Sequence, residues 1–330
     1  MKLKLQNPRL KSGRSINNLQ FIYLPTFLSK LLILDGNAIF HRAFHALPPM
    51  TAPDGQPTNA VFGFASMLLN LINQQKPDYL IATFDRKEKT FRHEAYKEYK
   101  ATRVSAPDDF YIQIPCLQEF VKESNIEKYD LAGYEADDMI GTLAKQAKEE
   151  ANIQTIIVTG DRDCLQLIDD RTAVLILKQG ITKTHLFDAE EVKKVYGLTP
   201  QQLIDFKAFT GDSSDNLKGV PGIGPKTATD LLQKYQNLEK VYEHLNELKQ
   251  GTAEKLRIGR DSALETHFLG TIVLNAPIKL ELEKSAIKNL NLAGMEKFFQ
   301  KMIFFSLIGR LKKMDFKNKD STPEQMSMFL

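Results

Sequence analysis

The sequence predicts a doubly wound α/β domain followed by a helical subdomain. Three observations carry this. Short, wholly apolar runs recur and end in Asp; amphipathic helical patterns separate them; and after about Phe187 the helical period continues without further strands.

The elements follow in order. Leu31 to Leu34, ending in Asp35-Gly36, is too short for a helix and reads as a buried parallel strand with an acid at its carboxyl end. A helix is expected from Ala38 to Ala46, a Pro/Gly loop from Pro48 to Pro57, and a second helix from Asn59 to Gln74. Tyr79 to Phe84 is another buried strand, ending in Asp85. Phe91 to Pro107 is polar, basic and dotted with tyrosine, and a helix then runs to about Glu123. Ile153 to Thr159 is a β-branched strand followed by Gly160-Asp161-Arg162-Asp163. Ala173 to Leu177 and a hairpin partner from Thr182 to Phe187 complete the strands. Asp188 and Thr199 read as N-caps, the second for a helix from Pro200 to Phe209 that runs into Gly211-Asp212-Ser213-Ser214-Asp215-Asn216. Gly219 to Thr227 forms a tight hairpin leading into a helix from Ala228 to Tyr235, and the pattern stays mostly helical to about Arg310.

The bulk numbers exclude several classes. A chain of 330 residues suits two domains with ample core, and 42% hydrophobic with 26% charged residues is ordinary for a soluble fold. No run approaches the roughly 18 apolar residues of a membrane span. Cys116 and Cys164 match no zinc spacing and fit a reducing, cytoplasmic setting. The net charge of +3 misleads, because residues 1–30 hold six Lys/Arg and no acid. The remainder carries 38 Lys/Arg against 41 Asp/Glu, so only local charge can speak for nucleic acid.

The chemistry concentrates at Ala132 to Gly141. Glu135, Asp137 and Asp138 lead a helix whose apolar face is Met139, Ile140, Leu143, Ala144 and Ala147. Acids at a helix N-terminus complement the macrodipole. Three so close also fit a divalent metal, and this stretch alone leaves both readings open. Asp35, Asp85, Asp161 and Asp163 end strands, where open α/β sheets bind ligands. With Asp212 and Asp215 there are nine carboxylates that one edge could gather, a charge that needs cations. All-oxygen ligands select Mg²⁺ or Mn²⁺, and acids enough for two ions suggest in-line displacement at phosphorus.

Two further stretches point to nucleic acid. Arg92, Tyr96, Tyr99, Lys100 and Arg103 would share one face of a helix, cationic and aromatic together, which suits a phosphate backbone with stacked bases. A solvated helix with scattered charge is the alternative. Gly219 to Lys226 fails the P-loop spacing, since Pro225 separates Gly224 from Lys226 and no strand precedes it. Two helices joined by Pro-Gly-Ile-Gly-Pro-Lys instead resemble a helix-hairpin-helix element, which holds phosphate by backbone N–H groups.

Together these residues resemble the 5′ nucleases, which include the 5′→3′ exonuclease domain of bacterial DNA polymerase I, stand-alone exonucleases and flap endonucleases. The resemblance spans about Leu31 to Arg310. It rests on Leu-Asp-Gly-Asn at 34–37, Thr-Phe-Asp-Arg at 83–86, Thr-Phe-Arg at 90–92, Tyr-Lys at 99–100 with Arg103, Gly-Tyr-Glu-Ala-Asp-Asp at 133–138, Thr-Gly-Asp-Arg-Asp at 159–163, Gly-Asp-Ser-Ser-Asp-Asn at 211–216 and Pro-Gly-Ile-Gly-Pro-Lys-Thr-Ala at 221–228. It implies a PIN-like core over 31–198, doubly wound on a mainly parallel sheet, with a helical arch at about 88–108. A helix-three-turn-helix subdomain of helix-hairpin-helix type would span 199–310, with its hairpin at 219–227. It implies a first metal site from Asp35, Asp85, Glu135 and Asp137, and a second from Asp161, Asp163 and Asp215, with Asp138 and Asp212 as supporting acids that bind metal through water or order the site. Lys100 and Arg103 would contact the scissile phosphate and act in catalysis beside Asp35 and Asp137. Tyr99 would stack on the terminal base, with Tyr96 on the same face. Arg42 and Arg92 match basic positions near substrate phosphates. Lys226 and Thr227 would meet DNA at the hairpin, where carbonyls near Gly222 and Gly224 can hold K⁺. Lys218 departs from the usual proline, and the first strand begins some 30 residues later than the family places it.

The ends are separate questions. Residues 1–30 fit a disordered basic arm, an upstream start and an organellar transit peptide alike. Residues 311–330 end in Pro323-Glu324-Gln325-Met326-Ser327-Met328-Phe329-Leu330, which resembles a bacterial sliding-clamp motif through Gln325, Met328 and Phe329. The alternative is a linker like that leading into a polymerase in longer relatives. A polymerase acting with this chain is expected to be a separate one. The expected activity is Mg²⁺-dependent cutting of DNA 5′ ends, flaps, nicks and RNA primer–DNA hybrids in replication and repair, by a monomer in the bacterial cytoplasm, at the nucleoid. A non-catalytic junction- or clamp-binding protein and a PIN-type ribonuclease are the rival readings.

Overall fold

A six-stranded sheet in the order β3-β2-β1-β4-β5-β6 lies at the centre of the structure, a computed structural model that describes residues 29–149, 153–178, 180 and 183–314. The strands are β1 Ser29–Asp35, β2 Tyr79–Thr83, β3 Glu127–Tyr129, β4 Ile153–Thr159, β5 Thr172–Leu177 and β6 Thr184–Phe187. All neighbours pair parallel except β6, which runs antiparallel to β5. Strand order reverses between β1 and β4, the switch point at which such sheets leave a crevice. Residues 1–28 and the clamp-like Gln325, Met328 and Phe329 lie outside the described residues.

The helices are α1 Gly36–Ala46, α2 Asn59–Gln75, α3 Phe91–Ala95, α4 Asp108–Ile112, α5 Ile114–Glu123, α6 Ala136–Glu149, α7 Ala189–Tyr196, α8 Gln202–Thr210, α9 Pro225–Tyr235, α10 Leu238–Glu243, α11 Gln250–Ile258, α12 Arg260–Gly270, α13 Leu282–Ser285, α14 Leu292–Lys301 and α15 Phe305–Leu311. β1 shows why the sheet needs cover on both faces. Leu32 and Leu34 join the core of α1, α2, α5, α14 and α15, whereas Leu31 and Ile33 join that of α6 and α7. Each such side chain contributes about 1.5–3 kcal/mol by leaving water. The apolar stripe of α6 (Met139, Ile140, Leu143, Ala144, Ala147) is buried against the second face, which fixes its acidic first turn at the sheet's carboxyl edge. A third core joins α8 through Ala208 and Phe209 to α9, α10, α11 and α12.

Three expectations change. The segment expected as an arch helix is helical only at Phe91–Ala95; turns occupy 97–102, and Lys100 has φ of 55°. Its basic side chains are drawn inward by acids distant in sequence, which local periodicity cannot register. The region 199–310 is not one unit either. Met295, Phe298, Phe299, Phe304 and Leu307 pack into the first sheet core, because the apolar side of α14 meets Phe120 of α5. The edge strand β3 escaped notice, since Glu-Lys-Tyr has neither an apolar run nor clear alternation.

Candidate metal centre and nucleic-acid interface

Adjacent strand ends place the acids. Asp35 closes β1, Asp85 follows β2, and Asp161 and Asp163 follow β4, so four carboxylates share the edge of three neighbouring central strands. Gly36 lets the chain turn from strand to helix beside Phe84; a Cβ there would lie 2.2 Å from the Phe84 ring. Asp35 caps α1, its Oδ1 accepting from the Ala38 N–H at 2.9 Å and its Oδ2 from the Thr159 hydroxyl at 2.6 Å. Asp85 Oδ1 accepts from the Ala136 N–H at 2.7 Å and so caps α6 from another strand. Asp161 Oδ1 accepts from the Asp163 N–H at 2.9 Å.

The carboxylates repel one another. Burial pushes Asp35 up to about 7, with Asp85 and Asp161 adding to it against the opposing hydrogen bonds. Burial and then the charges of Asp161, Asp35 and Asp85 push Asp137 well above the carboxylate range. Burial and Asp161 hold Asp163 up at about 7 despite the neighbouring Lys207. A crevice that raises its own acids this way favours protons or metal ions. Asp163, Asp212 and Asp215 each offer an oxygen, all within 4.8 Å of one another. These all-oxygen sets fit hard divalent ions.

Protein cations meet the same oxygens. Lys100 Nζ donates to Glu135 Oε1 at 2.9 Å, and Arg103 Nη2 to Asp215 Oδ1 at 2.6 Å. The Tyr99 hydroxyl lies 3.1 Å from Glu135 Oε2 and 3.2 Å from Asp215 Oδ2. Burial acts to lower the Lys100 pKa, but Glu135 and Asp215 outweigh it and raise it. Lys207 bonds both Asp163 and Asp212. Burial opposes it, yet Lys207 holds Asp212 below the usual range. Sequence reasoning missed Lys207; a lysine five residues before Asp212, in the last turn of α8, was the available signal. It also missed Cys164, whose Sγ lies 3.4 Å from Asp137 Oδ1.

Arg92 is turned inward rather than onto a basic surface face, and Asp138 takes the ordering one of its two expected supporting roles. Asp138 is fully buried and takes both arms of Arg92, at 2.6 and 2.7 Å. Its oxygens also accept from the Glu135 and Val273 N–H groups. Four donors leave it no open face for a metal or its water. Arg92, 2% exposed, also donates to the Leu269 and Thr271 carbonyls. It ties α3, α6 and the end of α12 together and does not face phosphate. The helical spacing put Arg92 on a surface face, but a buried bidentate pair with Asp138 occupies it.

The remaining basic positions are more open. Arg42 is half-buried, with Nη2 donating to the Leu177 carbonyl at 3.0 Å. Tyr96 is half-buried, and its hydroxyl donates to Glu98. Tyr99 is only 4% exposed, with its ring edge-on to His93. In the hairpin, Gly222, Gly224 and Lys226 are exposed and Thr227 is half-buried. Gly224 is the N-cap of α9, and no side chain caps the helix there. The Gly222 carbonyl accepts from Lys255 Nζ at 3.2 Å.

The family model described as 5′-3′ exonuclease, N-terminal resolvase-like domain matches residues 30–197, and the one described as 5′-3′ exonuclease, C-terminal SAM fold matches 198–293. DNA polymerase I of Caldicellulosiruptor bescii is 42% identical over 284 residues, 86% of this chain and 33% of the relative. The chain thus spans about a third of the length of the curated relatives it matches. A solved structure of bacteriophage T5 5′-exonuclease with zinc ions superposes with a TM-score of 0.62 at 19% identity, covering 83% of this chain and 98% of that one. The bacteriophage T5 flap endonuclease in a pseudo-enzyme-product complex with DNA and metal ions gives 0.60 at 19% identity, over 86% and 97%.

Proposed function

The chain belongs to the 5′-3′ exonuclease family, and on that premise we propose that it hydrolyses phosphodiester bonds at DNA 5′ ends and flaps in a metal-dependent reaction. The observation that carries the reading is the gathering of acids on one sheet edge, which raise one another's affinity for protons and bring three carboxylate oxygens within 4.8 Å. Asp35, Asp85, Glu135 and Asp137 would hold one ion. Asp161, Asp163 and Asp215 would hold another, with Asp212 beside them. Bound Mg²⁺, or Mn²⁺ in its place, supplies an activated water and a charge that stabilises the leaving oxygen.

The chain's own residues do the rest. Lys100 and Arg103 exchange their carboxylate partners for phosphate oxygens, where charge grows as the bond breaks. Tyr99, whose hydroxyl rests on Glu135 and Asp215, must leave them and turn outward to stack on a base. Arg42 lends charge beside α1. The exposed N-terminus of α9 holds a distant phosphate without reading sequence, placing the 5′ end at the crevice. A K⁺ at the hairpin would share the Gly222 carbonyl with Lys255. T5 flap endonuclease, which has the same fold, is solved with DNA and metal ions, which supports a DNA substrate. RNA primers paired to DNA fall within the same reading. A sliding clamp would dock at Gln325, Met328 and Phe329, and a polymerase would work beside this monomer or joined to it, as in the relatives.

The test uses a 5′-labelled flap. In Mg²⁺ the full chain releases the labelled flap; Asp137→Ala binds it without cutting. A wild-type chain that binds the flap and leaves it whole in Mg²⁺ would return the reading to a non-catalytic junction protein.

A further inference from the structure

We propose that Lys207 is a tethered competitor for the second divalent ion, holding the Asp163 and Asp212 oxygens until substrate arrives. The inference rests on the two-ion reading above and adds when the second ion binds.

The geometry carries it. The Lys207 ammonium donates to one oxygen of Asp163 and one of Asp212. These are two of the three carboxylates whose oxygens lie within 4.8 Å of one another. An ion that takes those oxygens meets a positive charge already on them, and two cations in one small triad repel. The lysine is also held there. Its side chain is 23% exposed, and the next two residues, Ala208 and Phe209, are fully buried in the core of the second subdomain. Gly211 ends α8 at φ +77°, and a Cβ there would lie 2.6 Å from the Leu217 carbonyl, so the turn that brings Asp212 back toward Lys207 is closely packed.

Lys100 and Arg103 differ from it. They come from the turns and extended chain after α3, whereas Lys207 stands on a packed helix. A fixed ammonium offsets part of the metal-free triad's charge and makes its second ion weak. A substrate phosphate adds oxygens and negative charge, which tips the competition toward the ion and releases Lys207 to face the phosphate. Occupancy of the second site is thereby coupled to DNA.

The experiment is a Mn²⁺ titration of the full chain without DNA, reading free Mn²⁺ by electron paramagnetic resonance. Wild type should show one stronger site and a second at least tenfold weaker. Lys207→Met and Lys207→Gln should tighten the second site at least tenfold and leave the first unchanged, while Lys207→Arg should behave as wild type. A non-hydrolysable flap should tighten the second site in wild type, an arm that needs no variant, and should do so more than in the neutral variants. A second site that is unchanged or weaker in folded neutral variants overturns the proposal, as does a wild-type second site indifferent to the flap. Two equal sites in wild type overturn it and leave the nuclease reading standing. No Mn²⁺ binding to any of these proteins overturns both.

Discussion

Raising the pH should destabilise the metal-free protein, and added metal should remove the effect. Asp35 and Asp163 both stand at about 7 in the fold against 3.8 ordinarily, burial being the first cause of each. Between those values the folded state keeps a proton that the unfolded chain has lost. Stability is therefore fully present below the unfolded pKa and is lost as pH rises through the folded one. One such group costs at most about 1.4 kcal/mol per pH unit, or about 2 kcal/mol between pH 5 and pH 7, because the slope flattens as the folded group titrates. Asp161 acts on both, so the pair contributes less than twice that. His41 is exposed, and its lowered pKa opposes the trend weakly below 6.5. The assay is the denaturant midpoint from pH 5 to pH 8 in EDTA, repeated in millimolar Mg²⁺. Stability should fall with pH in EDTA and stay level or rise in Mg²⁺, because metal binds the ionised form. A metal-free profile that is flat or climbs over this range would refute the electrostatic account.

Other perturbations separate scaffold from chemistry. Arg92→Ala strands the fully buried Asp138 and should cost about 3–5 kcal/mol in chemical denaturation; a variant of normal stability that binds DNA weakly would return Arg92 to the phosphates. Asp137→Asn removes a carboxyl whose ionisation burial disfavours in the fold but not in the unfolded chain, so its melting temperature in EDTA at neutral pH should rise while flap cleavage disappears; a lower melting temperature contradicts this. Lys100→Ala should lower single-turnover cleavage about 100-fold or more with the fold intact in circular dichroism, and an unchanged rate would leave Lys100 as a partner of Glu135 alone.

What the sequence revealed follows from which forces are local. Asp35, Asp85 and Asp161 were legible because each follows a short apolar run, and a parallel sheet aligns such runs with their carboxyl ends together. The phase of α6 was legible because Met139, Ile140, Leu143, Ala144 and Ala147 share one face. Pairings across the chain were not. Arg92 and Asp138 are 46 residues apart, and nothing in either neighbourhood marks them as partners. The stretch after α3 has a helical charge pattern, yet Glu135 and Asp215 draw Lys100 and Arg103 out of it. The apolar faces of α14 and α15 announced burial but not the surface they would choose. Lys207 carries no local mark beyond its place in the last turn of α8, and only the fold brings Asp163 beside it.

Anomalous scattering from crystals soaked in Mn²⁺ would locate the ions directly. One peak should lie among Asp35, Asp85, Glu135 and Asp137, a second, weaker without DNA, beside Asp161, Asp163 and Asp215, and none at Asp138. Crystals at high Mn²⁺ with no density on this sheet edge, or with an ion at Asp138 in place of Arg92, would contradict this.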